Sequence, residues 1–222
     1  MRKSLKALAA LLAYPEADLV AALPEIDSVL DAERALPADQ RARLRALTDL
    51  LARGDLIESQ ERYVALFDRT RSLSLHLFEH VHGDSRERGP AMVDLLHIYR
   101  KQGLAIADNE LPDYLPLYLE YAALLDAAAG TAAIADVAHV LAPVRDRLAQ
   151  RKSPYAAAFD AVLALSGATV AGTTDATPPD EADPAALDRS WEDAAVMFGP
   201  SADPTKTGSC DRATEMLRRM NA

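Results

Sequence analysis

Cysteine is almost absent from this chain of 222 residues, where Cys210 stands alone. A lone thiol excludes an internal disulfide and a thiolate metal cluster, and it suits a reducing compartment, so a cytoplasmic location is expected. Aromatic residues are scarce too, at 5% of a chain that is 50% hydrophobic. The apolar set is mostly alanine and leucine, which favour helix, with little of the β-branched and aromatic enrichment of strands. Basic charge is in deficit: the net charge is −10. That field repels nucleic acid and anionic lipid and attracts a basic partner. Long apolar runs are missing as well. The longest uncharged run, residues 161–174, contains two glycines and falls short of the ~18 residues a membrane span needs, so no membrane insertion is expected.

What is present is helical periodicity. Leu44, Leu47 and Leu51 follow Pro37, and Tyr63, Val64 and Phe67 make the next stripe. Met92, Leu95, Leu96 and Tyr99 come after them, then Leu117, Tyr118, Tyr121, Leu124 and Leu125. Ile134, Val137, Leu141, Val144 and Leu148 recur at steps of three and four. Such stripes are core faces of amphipathic helices, and Gly54, Gly83, Gly89, Gly103, Pro112 and Gly130 mark short connections between them. Near the start, Arg2, Lys3 and Lys6 precede an apolar run in the manner of a secretory signal. Leu5, Leu8 and Leu12 nevertheless keep helical spacing up to Pro15 without a small-residue cleavage pattern, so this run reads as a helix of the fold.

The expectation is an all-α protein: a single compact multi-helix bundle of eight or nine helices over residues 1–170. A low-complexity acidic linker and tail follow over residues 171–222. The tail is poor in large apolar residues until Trp191, Val196, Met197 and Phe198. Such a cluster is expected to dock back on the bundle, with partner binding as the alternative.

The segment "HLFEHVHGDSRERG", residues 76–89, holds three of the five histidines. If residues 74–81 are helical, His76 and His80 share a face at i and i+4, and His82 or Asp84 could complete a zinc shell. The glutamate that follows the first histidine in a zincin helix is replaced here by Leu77, so no hydrolase is indicated. With the ligand set incomplete, structural or partner-binding histidines are the preferred reading, with no metal or other cofactor. Asp84 or Ser85 would cap a helix beginning near Arg86. Arg86 and Arg88 would then oppose its macrodipole and need a carboxylate such as Glu79, Asp84 or Glu87. A second segment, "ELPDYLPLYLEY", residues 110–121, sets Glu110 and Asp113 beside Tyr114 and Tyr118 at a helix start. This suggests an acidic rim on an aromatic groove, suited to a basic amphipathic peptide.

Together "YVALFDRTRSLSLHLFEHVHGDSRERGPAMVDLLHIYRKQG", "ELPDYLPLYLEY" and the late "WEDAAVMF" resemble the nitrate reductase molybdenum cofactor assembly chaperones of NarJ type, the nitrate reductase delta subunits, within the redox-enzyme maturation proteins. The likeness runs from about Leu5 to Phe198 with order and spacing kept. It implies an all-helical cytoplasmic protein that is not an enzyme. It implies unfolded-protein binding in anaerobic respiration and nitrate assimilation: the partner is the catalytic (alpha) subunit of respiratory nitrate reductase, held through its basic N-terminal leader while molybdenum cofactor is inserted. A monomer is expected, with dimerisation open.

The wider superfamily's Glu-x-Pro-Asp-His motif falls on Glu110, Leu111, Pro112, Asp113 and Tyr114, and departs from it at Tyr114. Carried over position by position, the implied leader surface is Tyr63, Leu66, Phe67, His80, His82, Gly83, Asp84, Ser85, Arg86, Arg88, Gly89, Glu110, Pro112, Asp113, Tyr114 and Tyr118. Protonated histidines there would oppose a basic leader, so affinity is expected to fall as pH drops through about 6.5. The alternatives are a zinc protein built on His76, His80 and His82, and a general helical peptide-binding adaptor. No phosphate loop, nucleophile elbow or convincing paired-carboxylate motif supports an enzyme.

Overall fold

The computed structural model describes residues 3–83, 85–107 and 110–168. Asp84 and the tail with its Trp191 cluster lie outside these described residues.

Nine α-helices make up the described fold: α1 (Lys3–Leu12), α2 (Ala17–Glu33), α3 (Ala38–Arg53), α4 (Leu56–Tyr63), α5 (Leu77–His82), α6 (Arg88–Lys101), α7 (Leu115–Leu124), α8 (Ala127–Gln150) and α9 (Ala156–Ser166). A π-helical turn, Val64–Asp68, and a 3-10 turn, Arg71–Leu73, join α4 to α5. Among the described residues the one extended pairing is an isolated antiparallel bridge between His76 and Tyr114.

α1 illustrates how burial organises the bundle. Leu5, Leu8, Leu11 and Leu12 are completely buried, and α1 packs against α7, α2 and α9. Its first backbone N–H groups would be orphans, since a helix cannot satisfy its own first turn. Glu33 at the end of α2 answers them. Its carboxylate accepts from Lys3 N at 2.7 Å and Ser4 N at 2.8 Å, and from the Ser4 hydroxyl. The negative charge also suits the positive end of the α1 dipole. Asp55 and Asp126 cap α4 and α8 by the local route, each accepting from backbone N–H groups two and three residues on.

α8 and α9 form a hairpin whose short connection makes them antiparallel neighbours, and α9 closes at Gly167, whose φ of 63° ends the helix in the left-handed region. Among the described residues, α8 alone is long and apolar enough to cross a membrane. Half of its apolar window is buried inside the fold, against α7, α9 and α5. The uncharged-run reading missed it, because its apolar stretch is broken by scattered charges. Where α7 and α8 cross, Gly130 faces the Ala122 carbonyl so closely that a Cβ would sit 2.6 Å from its oxygen. Since that obstacle is backbone, Gly130→Ala is expected to lower unfolding free energy by about 1–3 kcal/mol despite alanine's better helix propensity, measured by urea denaturation.

Two local expectations need correction. The helix expected over residues 74–81 begins at Leu77, because His76 is drawn into extended backbone (φ −89°, ψ 107°) by its bridge to Tyr114. The helix expected from Arg86 begins at Arg88. Pro112 and Asp113 lie just before the helix of the fourth stripe: α7 starts at Leu115, with Pro116 in its first turn.

Candidate functional site

The bridge at His76 and Tyr114 joins the two signature segments edge to edge. Leu77 N donates to the Asp113 carbonyl at 2.9 Å, and Leu115 N donates to the Leu75 carbonyl at 2.8 Å. This brings Asp113 over the first turn of α5, where it does from a distance what an N-cap does locally. Its carboxylate, fully buried, accepts from Phe78 N at 3.2 Å, His76 Nδ1 at 3.2 Å and Arg88 Nη2 at 3.4 Å. Arg88 also reaches Glu79 Oε1 at 3.3 Å. A buried carboxylate is tolerable only when paired and hydrogen-bonded, and Asp113 is both.

Asp113 is therefore not part of an acidic rim; that expectation is corrected by its complete burial. Tyr118 is also withdrawn from any groove: it is fully buried and donates to the Ala133 carbonyl at 2.7 Å. Tyr99, buried as deeply, donates to the Pro112 carbonyl at 2.9 Å and so fixes the segment from beneath.

Tyr63 and Phe67 sit inside an aromatic knot with Tyr155, their ring centroids 4.9–6.2 Å apart and edge-on. Burial pushes the Tyr155 phenol up to about 12. The Tyr63 hydroxyl donates to the Leu12 carbonyl at 3.0 Å and lies 2.9 Å from the Tyr114 hydroxyl. A carbonyl only accepts, so the single Tyr63 proton is committed and Tyr114 donates to Tyr63. Burial is the main cause of the raised Tyr63 and Tyr114 pKa values, and each is pushed further up by the negative field of Asp68. Glu110 adds to the rise at Tyr114.

What reaches solvent here is a smaller strip. Tyr14 is 40% exposed and stacks edge-on against Tyr63 at 5.5 Å, Leu111 is 44% exposed, and the half-buried Tyr114 lies beside them. Asp68 and Glu110 are exposed carboxylates whose fields reach Tyr114. The strip is thus apolar and aromatic with acidic edges. Sequence reasoning missed Tyr14. Its signal was a tyrosine directly before Pro15 at a helix end, a position where the side chain need not follow the buried face of α1.

The remaining sequence-selected residues form a neighbouring wall. His80 Nε2 donates to the Ser74 carbonyl at 2.8 Å, while both ring nitrogens of His82 are buried with no hydrogen-bond partner among the described residues, and its ring meets Phe78 edge-on. Leu66, Gly83 and Arg88 are half-buried, Pro112 likewise, and Ser85, Arg86 and Gly89 are exposed. Asp84 lies outside the described residues. His76 and His80 do not share a helical face, and among the described residues no three His, Cys, Asp or Glu side chains converge on a metal-holding geometry. The zinc alternative loses the spacing on which it rested.

Burial lowers the pKa of His80, with Arg147 adding to the effect; burial also lowers that of His82, with Arg88 adding to it. Below the ordinary value of 6.5 the unfolded chain therefore binds protons that the folded chain refuses. Stability is expected to be full at neutral pH and to fall as pH drops below about 6.5 toward the depressed folded values. His80→Gln, which keeps an N–H for the Ser74 carbonyl, should flatten the dependence of the thermal midpoint on pH between 7 and 5. An unchanged slope would count against the assignment.

Comparison with known proteins places the chain in a family. The family model described as nitrate reductase delta subunit matches residues 33–161. The chain is 43% identical over 192 residues to the nitrate reductase molybdenum cofactor assembly chaperone NarJ of Escherichia coli (strain K12), covering 85% of this chain and 81% of that protein. It is 44% identical over 159 residues to the probable chaperone NarW of the same strain, covering 70% and 69%. It is 28% identical over 158 residues to the probable chaperone NarJ of Bacillus subtilis (strain 168), covering 71% and 85%. The matched span contains both signature segments, from Tyr63 through Tyr121, and on these grounds the chain belongs to the nitrate reductase delta subunit family.

Proposed function

We propose that the protein is an assembly chaperone, not a catalyst, for the catalytic subunit of respiratory nitrate reductase, acting before that subunit docks at the membrane. It holds the subunit's basic N-terminal leader along the strip of Tyr14, Leu111 and Tyr114, between Asp68 and Glu110. The observation that carries this reading is the exposed aromatic strip with carboxylates at its edges, on a chain whose net charge is −10. That its relatives are named nitrate reductase molybdenum cofactor assembly chaperones supports the partner. An amphipathic basic peptide suits such a surface: the rings take its apolar face and the carboxylates its cationic side chains.

The remaining members of the sequence-derived surface act beneath or beside the strip. Tyr63, Phe67 and Asp113 hold it in place, and His80, His82 and Arg88 set the charge of its wall. Because burial depresses His80 and His82, any loss of leader affinity on acidification belongs below pH 6.5 rather than at it.

The test is calorimetric titration with the leader peptide beside a scrambled peptide of equal charge. One-to-one binding of the leader alone supports the reading; equal binding of both would make the protein a general adaptor. Reversing both edges, Asp68→Lys with Glu110→Lys, is expected to weaken leader binding at least about tenfold at low salt and much less at 0.5 M salt, where the screening length is about 4 Å. Equal affinity of this variant and the parent at low salt would remove the carboxylates from the site.

A further inference from the structure

The strip at Tyr14 does not end at Tyr114. Gln60 of α4 donates from Nε2 to the Pro15 carbonyl at 2.8 Å, and the Tyr14 ring rests on Tyr63 of the same helix. α4 is thereby clasped to the turn after α1, and its outer face runs on from Tyr14. Ser59 and Tyr63 turn the other side of α4 into the core. Ile57 and Val64 lie two turns apart on one row, with Gln60 between them, and the rise of about 1.5 Å per residue extends the strip by roughly 10 Å.

Ile57 is 65% exposed, more than any other large apolar side chain among the described residues. Tyr14 and Leu111, also exposed, fall along the same line. Scattered singly such side chains mean little; aligned on one face they mark a contact surface. Isoleucine is not a strong helix former, and Asp55 already fixes the start of α4 by accepting from the Ile57 and Glu58 N–H groups, so the helix itself has no use for an apolar side chain here.

The charge along this extension is of one sign. Glu16 follows Pro15 in the chain and Glu61 follows Gln60, so a carboxylate stands on each side of the clasp. Both are exposed, and neither is in an ion pair among the described residues. Glu16 occupies the N-cap position of α2 yet accepts no capping hydrogen bond. At the far end of α2 and on α3 the carboxylates hold arginines: Asp31 binds Arg41 and Arg45, Asp39 binds Arg43, and Asp49 binds Arg53. The basic side chain next to Glu61, Arg62, is half-buried and its field acts on the buried Tyr155.

We propose that the outer face of α4 from Ile57 to Val64 is the second half of the leader site, taking the stretch of the same partner chain that runs on from the segment seated at Tyr114. Ile57 and Val64 meet its apolar side chains, and Glu16 and Glu61 each receive a guanidinium or ammonium group. This extension presupposes the leader seat at Tyr14 and Tyr114 and adds selectivity to it: a basic peptide that fills only that seat forgoes Ile57 and both carboxylates.

A photo-cross-linker tests the placement. In the full chain with Cys210→Ser, benzophenone is attached at Ile57→Cys and, in a second variant, at Val93→Cys, a control position 52% exposed on α6. The leader peptide should cross-link at position 57 in clear excess over position 93, and a scrambled peptide of equal charge should show no such preference. By calorimetry, Ile57→Ser should weaken leader binding at least about threefold with the thermal midpoint unchanged. Glu16→Lys with Glu61→Lys should weaken it about tenfold at low salt and much less at 0.5 M salt. A leader that binds the parent yet cross-links no better at 57 than at 93, or binds these variants as tightly as the parent, would overturn the extension and leave the seat at Tyr14 standing. Cross-links from position 57 only to a second copy of the chain would overturn it in favour of self-association, and a leader that does not bind the parent would overturn both.

Discussion

Asp113→Ala is expected to cost about 3–5 kcal/mol of unfolding free energy, the largest stability effect of any single substitution considered, measured by urea denaturation. The carboxylate is completely buried and serves Phe78 N, His76 and Arg88 at once. Alanine leaves the Phe78 N–H without its acceptor and Arg88 with Glu79 as its remaining carboxylate, and the penalty comes from those under-satisfied donors more than from the lost attraction. Two further variants separate these effects. Asp113→Asn retains one acceptor and should fall between parent and alanine. Pairing Asp113→Leu with Arg88→Met removes the stranded charge and should recover part of the loss. A cost below about 1 kcal/mol for the alanine variant would mean that water reaches the carboxylate.

Tyr14→Ala is expected to weaken leader binding by about 2 kcal/mol, or roughly thirtyfold, with little change in stability. The ring stands 40% exposed at the end of α1 and is held edge-on against Tyr63, so its orientation is fixed before any ligand arrives. Pre-orientation is what makes an aromatic side chain an effective anchor, because little side-chain entropy remains to be lost. Tyr14→Phe should bind nearly as well as the parent, if the ring face carries the contact. Titration of both variants with leader and scrambled peptides reads the effect. A parent-like affinity for the alanine variant would move the leader elsewhere on the protein.

The helical architecture was legible in the sequence because its stripes are local. Leu44, Leu47 and Leu51 announce α3, and the run from Ile134 to Leu148 announces α8, from spacing alone. The site was only half legible. Its two segments were recognised as unusual, but nothing in their spacing shows that they pair with each other. That pairing overrode the helical pattern at His76 and took Asp113 inward. Aspartate is rarely fully buried, so a sequence reader places it at a rim, and its partner Arg88 lies 25 positions away. Arg88 was expected to need a carboxylate, and Glu79 was among those considered; the second, decisive one is set by topology. Tyr118 misled for a related reason, since the helical stripe that identifies it as core was weighed below the attraction of a third tyrosine beside a groove.

The packing of α1 also bears on how the protein is made. Its leucines are buried against α7, which begins about 100 residues later in the chain. At a synthesis rate of roughly 5–20 residues per second, the first helix waits on the order of 5–20 s for the partner that covers it. Throughout that interval the leucine face of α1 has no cover from α7. In the completed bundle α7 covers that segment, while Tyr14, just past its end, stands against Tyr63 of α4, a partner synthesised about 50 residues before α7.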